Sequence, residues 1–531
     1  MFRDFDRSNR RNASGNAEYA DKIQLAWLTR FARDESGTFT VLSLFLFLII
    51  LAIGGIGVDL MRFERDRASL QYTMDRAVLA AADLDQRATP EDVVRSYLEK
   101  ANLLQYLSNI EVTQNLGYRK VSATAETEIP TQFMHMSGVD TLTAPAASTA
   151  EESIGAVEIS LVLDVSGSMR RYSRLDNLKV AAKEFVDTLL DSTEPGAVSI
   201  SIIPYATQVN AGESLLDKYN ATQEHDYSYC VNFNDNQFSK PDLERDEILE
   251  RTMHFDPWSY EDGTIPIPVC PVRAGSDILP LTDNRIVLHN HIDAMSAQGN
   301  TSIDIGTKWG TVLLDPGTQS VVTDLIAEGE IDNKFEGRPS NYDADVLKIM
   351  VVMSDGQNTD QYMLNPSLRE GMSDVWYNAT SDRYTVYKSN GNPNYFWPET
   401  EEWTDHPYGD ESEEPGNAVR LTYPELFNRA SIRFFSDYLY QFTNSSWGRF
   451  SSAFSKKETS AKNQRTKHVC DAAKDEGIIV YTVAFEAPRT GYRTLKDCAS
   501  SDSHVYDVEG LDIISAFESI ASSIRKLRLT Q

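Results

Sequence analysis

Hydrophobic residues follow three different patterns along this chain. Residues 38–58 contain no charged side chain over 21 positions, which is long enough for an α-helix to cross the hydrocarbon core of a bilayer. From Leu60 to Leu84 the apolar residues recur at intervals of three, four and seven, as on one face of a helix. Beyond about residue 155, short apolar runs alternate with amphipathic stretches, which predicts strands alternating with helices.

These patterns predict the organisation of the N-terminal part. Residues 1–36 are polar and mixed in charge, and we interpret them as a short cytoplasmic tail. The apolar run begins too late and is too long for a cleaved signal peptide, so residues 37–88 are predicted to form a transmembrane and juxtamembrane helix. Residues 89–143 are predicted to form a small α+β segment. Residues 144–154, rich in small residues with one proline and two acids, are predicted to be a linker.

The sequence around the apolar run resembles the start of the TadE/TadG-like family of tight-adherence (Flp-type) pilus assembly proteins. The matching positions are Gly37, Asp59, Leu70, Gln71, Asp75 and the alanines at 80–82. The resemblance implies other pilus-assembly or pilin-like membrane proteins as partners. Type IV prepilins carry glutamate five residues after the cleavage-site glycine, where this chain has Leu42. We therefore expect the helix to remain as a permanent, single-pass anchor.

A strongly apolar strand in the C-terminal part ends in an oxygen-rich loop. Residues 157–163 are apolar or small at all but one position, and Asp164, Ser166 and Ser168 follow at every second position. One carboxylate beside two hydroxyls offers the hard oxygen donors that Mg²⁺, Mn²⁺ or Ca²⁺ prefers. The alternative is a capped helix start, with Ser166 or Ser168 as the N-cap.

Two later stretches add oxygen donors in comparable positions. Asp355 lies two residues beyond the apolar strand predicted at 346–353, and Thr301 lies in a loop that opens another helix. In α/β folds with a mostly parallel sheet, ligands bind beyond the carboxyl ends of the strands. Taken alone, Asp355 is more typical of a turn or a helix N-cap than of a metal ligand, and Thr301 is unremarkable.

Together, the order DxSxS, then Thr, then Asp resembles the metal-ion-dependent adhesion site of von Willebrand factor A domains. The resemblance covers residues 155–528. It implies a domain at 155–531 with an α/β fold, a doubly wound, mostly parallel, Rossmann-like sheet and insertions at about 211–285 and 360–460. It implies a divalent cation, Mg²⁺ first with Mn²⁺ or Ca²⁺ as alternatives, and one coordination position left for the carboxylate of a protein partner. The implied metal ligands are Asp164, Ser166, Ser168, Thr301 and Asp355.

Composition bears on the partners and on the compartment. The net charge of −29 argues against nucleic acid as a partner, because phosphate binding needs a basic face. Lysines and arginines flank both ends of the span, so they do not decide its orientation. The four cysteines all follow the span and fit two disulfides in an oxidising compartment, with buried free thiols as the alternative. We expect the pairs Cys470–Cys498 and Cys230–Cys270.

The sequence contains no HExxH, GxSxG or P-loop motif and no zinc-spaced cluster of His and Cys, so we do not expect an enzyme. The aromatic residues of the second insertion allow a carbohydrate-binding face, or alternatively an insertion packed on its own aromatic rings. These residues are Tyr395, Phe396, Trp397 and Trp403.

The sequence therefore predicts a protein of the bacterial inner membrane whose A domain lies in the periplasm or at the cell surface. We expect it to act as a metal-dependent protein-binding module in the assembly of, or attachment by, tight-adherence pili. One alternative is a surface adhesin that binds a host or matrix ligand independently of pili. Another is a metal-dependent hydrolase.

Overall fold

A computed structural model describes residues 36–83, 86–115, 118–153, 156–191, 193, 195–260, 265–409 and 412–530. The predicted tail, apart from Ser36, lies outside these residues. The chain divides into two compact units, Met1–Ser153 and Ile154–Gln531.

The first unit consists of two helices and a three-stranded antiparallel sheet. Its elements are α1 (Ser36–Ala82), α2 (Pro90–Lys100), β1 (Leu107–Asn115), β2 (Tyr118–Pro130) and β3 (Thr141–Ser153), with the strand order β1-β2-β3. Among the described helices, α1 alone is long and apolar enough to cross a membrane, by length and composition. Its apolar half is exposed, whereas Leu70, Met74 and Ala77 further along are buried against α2 and the sheet.

The prediction of a linker at 144–154 is wrong, because residues 144–153 belong to β3. This strand pairs with β2 over its whole length, for example Ala125 with Ala146. The small residues alternate with polar ones, so that Ala144 and Ala146 face the core and are buried. Pro145 is tolerated because β3 is an edge strand of the sheet.

The second unit contains a central sheet with helices on both faces. A long insertion interrupts the sequence between two strands of this sheet. As far as the central β9, its elements are β4 (Ala156–Asp164), α3 (Arg174–Leu190), β5 (Val198–Tyr205), α4 (Glu213–Leu216), β6 (Val231–Asn232), β7 (Glu250–Arg251), β8 (Leu279–Thr282), α5 (Arg285–Ala294), α6 (Ile303–Val312), α7 (Gln319–Ala327) and β9 (Val346–Ser354).

The insertion comprises β10 (Gln361–Leu364), β11 (Met372–Asn378), β12 (Arg383–Tyr387), β13 (Tyr395–Trp397), β14 (Glu402–Thr404), β15 (Ala418–Thr422), α8 (Tyr423–Phe427), a π-helix (Phe434–Leu439), α9 (Ser446–Ala453) and β16 (Phe454–Lys457). The chain then returns to the sheet through α10 (Thr459–Asp475), β17 (Ile479–Phe485), α11 (Arg489–Cys498), β18 (Val505–Val508) and α12 (Asp512–Thr530).

The central sheet has the order β18-β17-β9-β4-β5-β8. All neighbouring strands are parallel except β5 and β8, which are antiparallel. Strands β4, β5 and β9 are buried on both faces. A separate hydrophobic core covers each face of the sheet. The predicted doubly wound, mostly parallel α/β fold is therefore confirmed. The predicted first insertion is not wholly outside this fold, because its β8 is an edge strand of the central sheet.

The second insertion is an ordered subdomain with a five-stranded antiparallel sheet, β14-β13-β12-β11-β15. Its core also includes Met253, Phe255 and Val269 from the first insertion. Its aromatic residues pack on one another. The ring contacts join Tyr395 to Trp376 and Tyr387, Phe396 to Trp403 and Phe442, and Trp397 to His406 and Tyr408. These contacts correspond to the alternative of an insertion packed on its own rings.

Two disulfides connect elements around the sheet. Cys230–Cys270 closes the first insertion, and Cys470–Cys498 joins α10 to α11. No free cysteine occurs among the described residues, and all four cysteines of the sequence belong to these two bonds.

Candidate metal centre

Two carboxylates lie at the carboxyl ends of neighbouring parallel strands. Asp164 is the last residue of β4, and Asp355 directly follows the last residue of β9. The two strands pair directly, with Leu163 opposite Met353. The strand order reverses between them, which is where crevices for ligands form in doubly wound sheets. Asp164 is fully buried and Asp355 is 2% exposed.

The serines of the first loop connect the two carboxylates. Ser168 Oγ donates a hydrogen bond of 2.7 Å to Asp355 Oδ1, and the hydroxyls of Ser166 and Ser168 are 3.1 Å apart. The backbone N–H of Ser166 donates to Asp164 Oδ1 at 2.8 Å. The first and third loops of the motif are therefore in direct contact.

Thr301 completes the group from a second loop. A methyl group in place of the hydrogen of Gly356 would lie 3.5 Å from Thr301 Oγ1 and 3.9 Å from Ser168 Oγ. Both hydroxyl oxygens therefore lie close to Gly356, the residue that follows Asp355. The structure brings together all five of the residues that the sequence motif singled out.

Two residues that the sequence analysis did not single out hold the carboxylates in place. Ser354 Oγ donates to Asp164 Oδ2 at 2.6 Å. Arg174 donates to Asp355 Oδ2 at 2.7 Å and also to Glu486 at 2.9 Å. The sequence could have indicated Ser354, because it directly precedes Asp355. It could not have indicated Arg174, because Asp355 and Glu486 lie far from Arg174 in the sequence.

The loop that carries Thr301 is held from beneath by buried polar groups. Lys462 on α10 is fully buried and donates to the backbone oxygen of Thr301 and to the hydroxyl of Ser302. Asn358 Oδ1 accepts a 2.8 Å hydrogen bond from the N–H of Ile303, at the start of α6. Helix α10 and the loop after Asp355 therefore determine where the Thr301 hydroxyl lies.

Burial is the main reason for the unusual electrostatics of Asp164. Burial and, to a smaller extent, the charge of nearby Asp355 raise the pKa of this carboxyl, and hydrogen bonds from Ser354 and Ser166 lower it, with a net value of about 7. Arg174 neutralises part of the charge on Asp355. Two buried carboxylates with one cationic partner leave a site that favours a further positive charge.

The donor chemistry fits a hard divalent cation. The site offers carboxylate and hydroxyl oxygens, and both oxygens of Asp164 already accept hydrogen bonds. Each serine or threonine hydroxyl retains a free lone pair when it donates its proton. No cluster of three or more His, Cys, Asp or Glu side chains suited to a metal occurs in the described part of the chain. Oxygen donors of this kind suit Mg²⁺ better than softer metals.

Comparisons with known proteins give one family match, in the N-terminal part, and several similar solved structures. Residues 37–84 match the family model described as putative Flp pilus-assembly TadE/G-like. No curated protein matches the sequence significantly. Among solved structures, the vWF domain of the type V pili tip protein Mfa5 from Porphyromonas gingivalis is similar, with 15% identity, a TM-score of 0.31 and coverage of 70% of this chain and 95% of that one.

Two further similar structures are larger proteins. The pilus adhesin SpaC from Lactobacillus rhamnosus GG has 12% identity and a TM-score of 0.31, over 78% of this chain and 33% of that chain. A von Willebrand factor type A protein from Catenulispora acidiphila has 11% identity and a TM-score of 0.25, over 78% of this chain and 50% of that chain. At these values the similarities carry no functional argument, and the fold assignment rests on strand order and register.

The architecture thus has two parts. An N-terminal segment that matches the TadE/G-like family model, and that contains the one candidate membrane helix among the described residues, precedes a doubly wound, mostly parallel α/β domain. The candidate metal centre lies in the α/β domain.

Proposed function

We propose that this protein is a membrane-anchored binding module that takes part in the assembly of, or attachment by, tight-adherence pili through a metal-dependent contact. The observation that carries the proposal is the convergence of Asp164, Ser168, Thr301 and Asp355 at the carboxyl ends of β4 and β9. Three separate loops meet there around two buried carboxylates. A helix cap alone would not require the second and third loops.

The residues that would hold the cation are Asp164, Ser166, Ser168, Thr301 and Asp355. When bound, Mg²⁺, or alternatively Mn²⁺ or Ca²⁺, would supply positive charge and a coordination position for an acidic group of a protein partner. Ser354 and the N–H of Ser166 orient Asp164, and Lys462 holds the Thr301 loop. The contribution of the chain is therefore a rigid set of oxygens presented at one edge of the sheet.

The rim of the site supports an acidic partner. Arg170 and Arg171 are exposed immediately after the DxSxS loop, and Tyr172 beside them is 80% exposed. A positive rim is unusual in a chain with a net charge of −29. Complementary charge around a binding site accelerates association and excludes partners of the wrong sign.

The TadE/G-like segment supports a role beside other pilus-assembly or pilin-like membrane proteins. We place the span in the bacterial inner membrane, with the α/β domain in the periplasm or at the cell surface. The two disulfides support an oxidising compartment for this domain. A surface adhesin for a host or matrix ligand, independent of pili, is the second candidate, and the same metal centre would serve it.

Deletion of the gene and imaging of pili distinguish the two candidates. Loss of pili, restored by the wild-type chain but not by Asp164→Asn, is the expected result. Intact pili in the deletion strain, combined with lost attachment to a surface, would favour the independent adhesin. A pull-down of membrane partners with and without chelator then tests whether the contact depends on metal.

A further inference from the structure

The β2–β3 connection in the first unit lies against the apolar helix. This tip, residues 131–140, carries Phe133, Met134 and Met136. The Phe133 ring packs on α1 at Gly55, where a methyl group on the glycine would lie 2.4 Å from the ring. Only glycine permits so close an approach, and Gly55 belongs to the charge-free run 38–58.

One turn further along α1, Asp59 fixes the same tip. Its carboxylate accepts hydrogen bonds from the backbone N–H groups of Gln132, Phe133 and Met134 at 3.0, 2.7 and 2.8 Å. The side chain is only 2% exposed. Hydrogen bonds to an ionised acceptor are stronger than neutral ones, so the tip is firmly held to the helix.

The tip backbone is also satisfied from within the protein. Three N–H groups of the tip donate to Asp59. In addition, the backbone N–H of Met136 donates to the backbone oxygen of Phe133, and that of Gly138 donates to the backbone oxygen of His135. A backbone N–H or C=O group that is removed from water without a hydrogen-bond partner raises the free energy of the protein. This cost restricts which segments can enter a bilayer. These hydrogen bonds remove much of that cost for the tip.

The position of the tip along the helix corresponds to a membrane boundary. At 1.5 Å per residue, the run 38–58 extends about 32 Å, close to the thickness of a hydrocarbon core of roughly 30 Å. Gly55 lies three residues, or about 4.5 Å, inside the C-terminal end of this run. Met136, in the tip, is 86% exposed, so most of this apolar side chain is not covered by the protein.

We propose that tip residues 132–137 insert into the interfacial layer of the phospholipid bilayer and act as a second anchor beside the spanning helix. Phe133 and the two methionines supply apolar contact with lipid, while His135 and Ser137 suit the polar headgroup zone. The first unit is then held against the membrane surface instead of pivoting freely on one helix. The proposal requires that 38–58 crosses the membrane and is independent of the metal centre.

Site-specific labelling measures the depth of the tip. All four cysteines form disulfides, so Met136→Cys introduces a single free thiol for an environment-sensitive fluorophore. The full chain is reconstituted into phosphatidylcholine–phosphatidylglycerol vesicles that contain a lipid with a nitroxide near its headgroup. Thr124→Cys is the matched control, because Thr124 is exposed on β2 about 20 Å along the strand from the tip.

Quenching at Met136→Cys several times greater than at Thr124→Cys is the expected result. Equal, weak quenching at both positions would overturn the proposal. Only this protein and lipid are present, so a partner protein cannot produce the signal. Asp59→Ala combined with Met136→Cys is expected to abolish most of the difference in quenching from Thr124→Cys, because the tip loses three hydrogen bonds. An unchanged difference would show that Asp59 does not hold the tip in place.

Discussion

Ser168 donates a 2.7 Å hydrogen bond to Asp355, although the two residues are 187 positions apart in the sequence. This contact joins the loop after β4 to the loop after β9. It exists only because the two strands are parallel neighbours at the point where the strand order reverses. The candidate metal centre is thus a direct product of the sheet topology.

The first prediction concerns topology. A reporter enzyme that is active only outside the cytoplasm, fused after Gln531, is expected to be active. The reason is that the one candidate span found among the described residues precedes a domain with two disulfides. The same reporter fused after Ser36 serves as the control and is expected to be inactive. An inactive C-terminal fusion would put the α/β domain in the cytoplasm.

The second prediction concerns the disulfides. They close loops with sequence separations of 40 and 28 residues. On the chain-entropy model each bond stabilises the fold by about 3.5–4 kcal/mol. Denaturant unfolding with and without reductant is expected to show a stability loss of this order. Peptide mapping without reduction that found Cys230 or Cys270 joined to Cys470 or Cys498 would contradict the structure.

The third prediction concerns pH. The pKa of Asp164 is about 7 in the folded, cation-free site, against an ordinary value near 3.8. Below pH 4 the folded and unfolded states both hold the proton. As pH rises from 4 through 7, the unfolded chain releases the proton first, so the Asp164 contribution to the free energy of unfolding is progressively lost. The loss is at most about 4 kcal/mol.

Buried histidines complicate this profile, since burial lowers the pKa of His254 to about 4 and gives the opposite slope. The measurement is therefore the difference in unfolding free energy between wild type and Asp164→Asn, in chelator, at pH 5 and pH 8. The wild type is expected to lose more stability than the variant on going to pH 8. Added Mg²⁺ is expected to reverse this loss. Parallel profiles for the two proteins would mean that Asp164 does not titrate in this range.

The fourth prediction uses a close packing contact beneath the site. A methyl group on Gly491 in α11 would lie 1.9 Å from the backbone oxygen of Gly356, which directly follows Asp355. Gly491→Ala therefore forces the third loop and α11 apart, and we expect the resulting shift of the loop to weaken Mg²⁺ binding about tenfold, equivalent to about 1.4 kcal/mol. Alanine favours helix over glycine, so propensity alone would not explain a loss. Arg493→Ala, at an exposed position of the same helix, is the control and is expected to bind normally.

The alternation of apolar runs and amphipathic stretches was sufficient to predict the sheet. Asp164 and Asp355 lie at or just beyond the ends of buried strands, which the order of parallel strands brings together, whereas Thr301 lies between two helices and was singled out only by the family resemblance. Arg174 and Lys462 could not be predicted in the same way. Each makes its contacts through the three-dimensional fold, to residues more than 150 positions away.

The error at 144–154 has a different cause. Small residues and a proline are typical of linkers, and the prediction rested on this composition. The alternation of small and polar residues, which is typical of a strand, was the better indicator. The deciding feature is that Ala144 and Ala146 are buried in a strand that packs against α1, which becomes apparent only when the helix and β3 are seen together.

The most direct test of the central claim is calorimetric titration of Mg²⁺ into the full chain in detergent, for wild type and Asp164→Asn. Asparagine nearly matches aspartate in shape but removes the buried charge that favours a cation. We expect saturable binding to the wild type and loss of that binding in the variant, with unchanged circular dichroism. Equal heats and affinities in the two proteins would contradict the claim and leave the DxSxS loop as a helix cap.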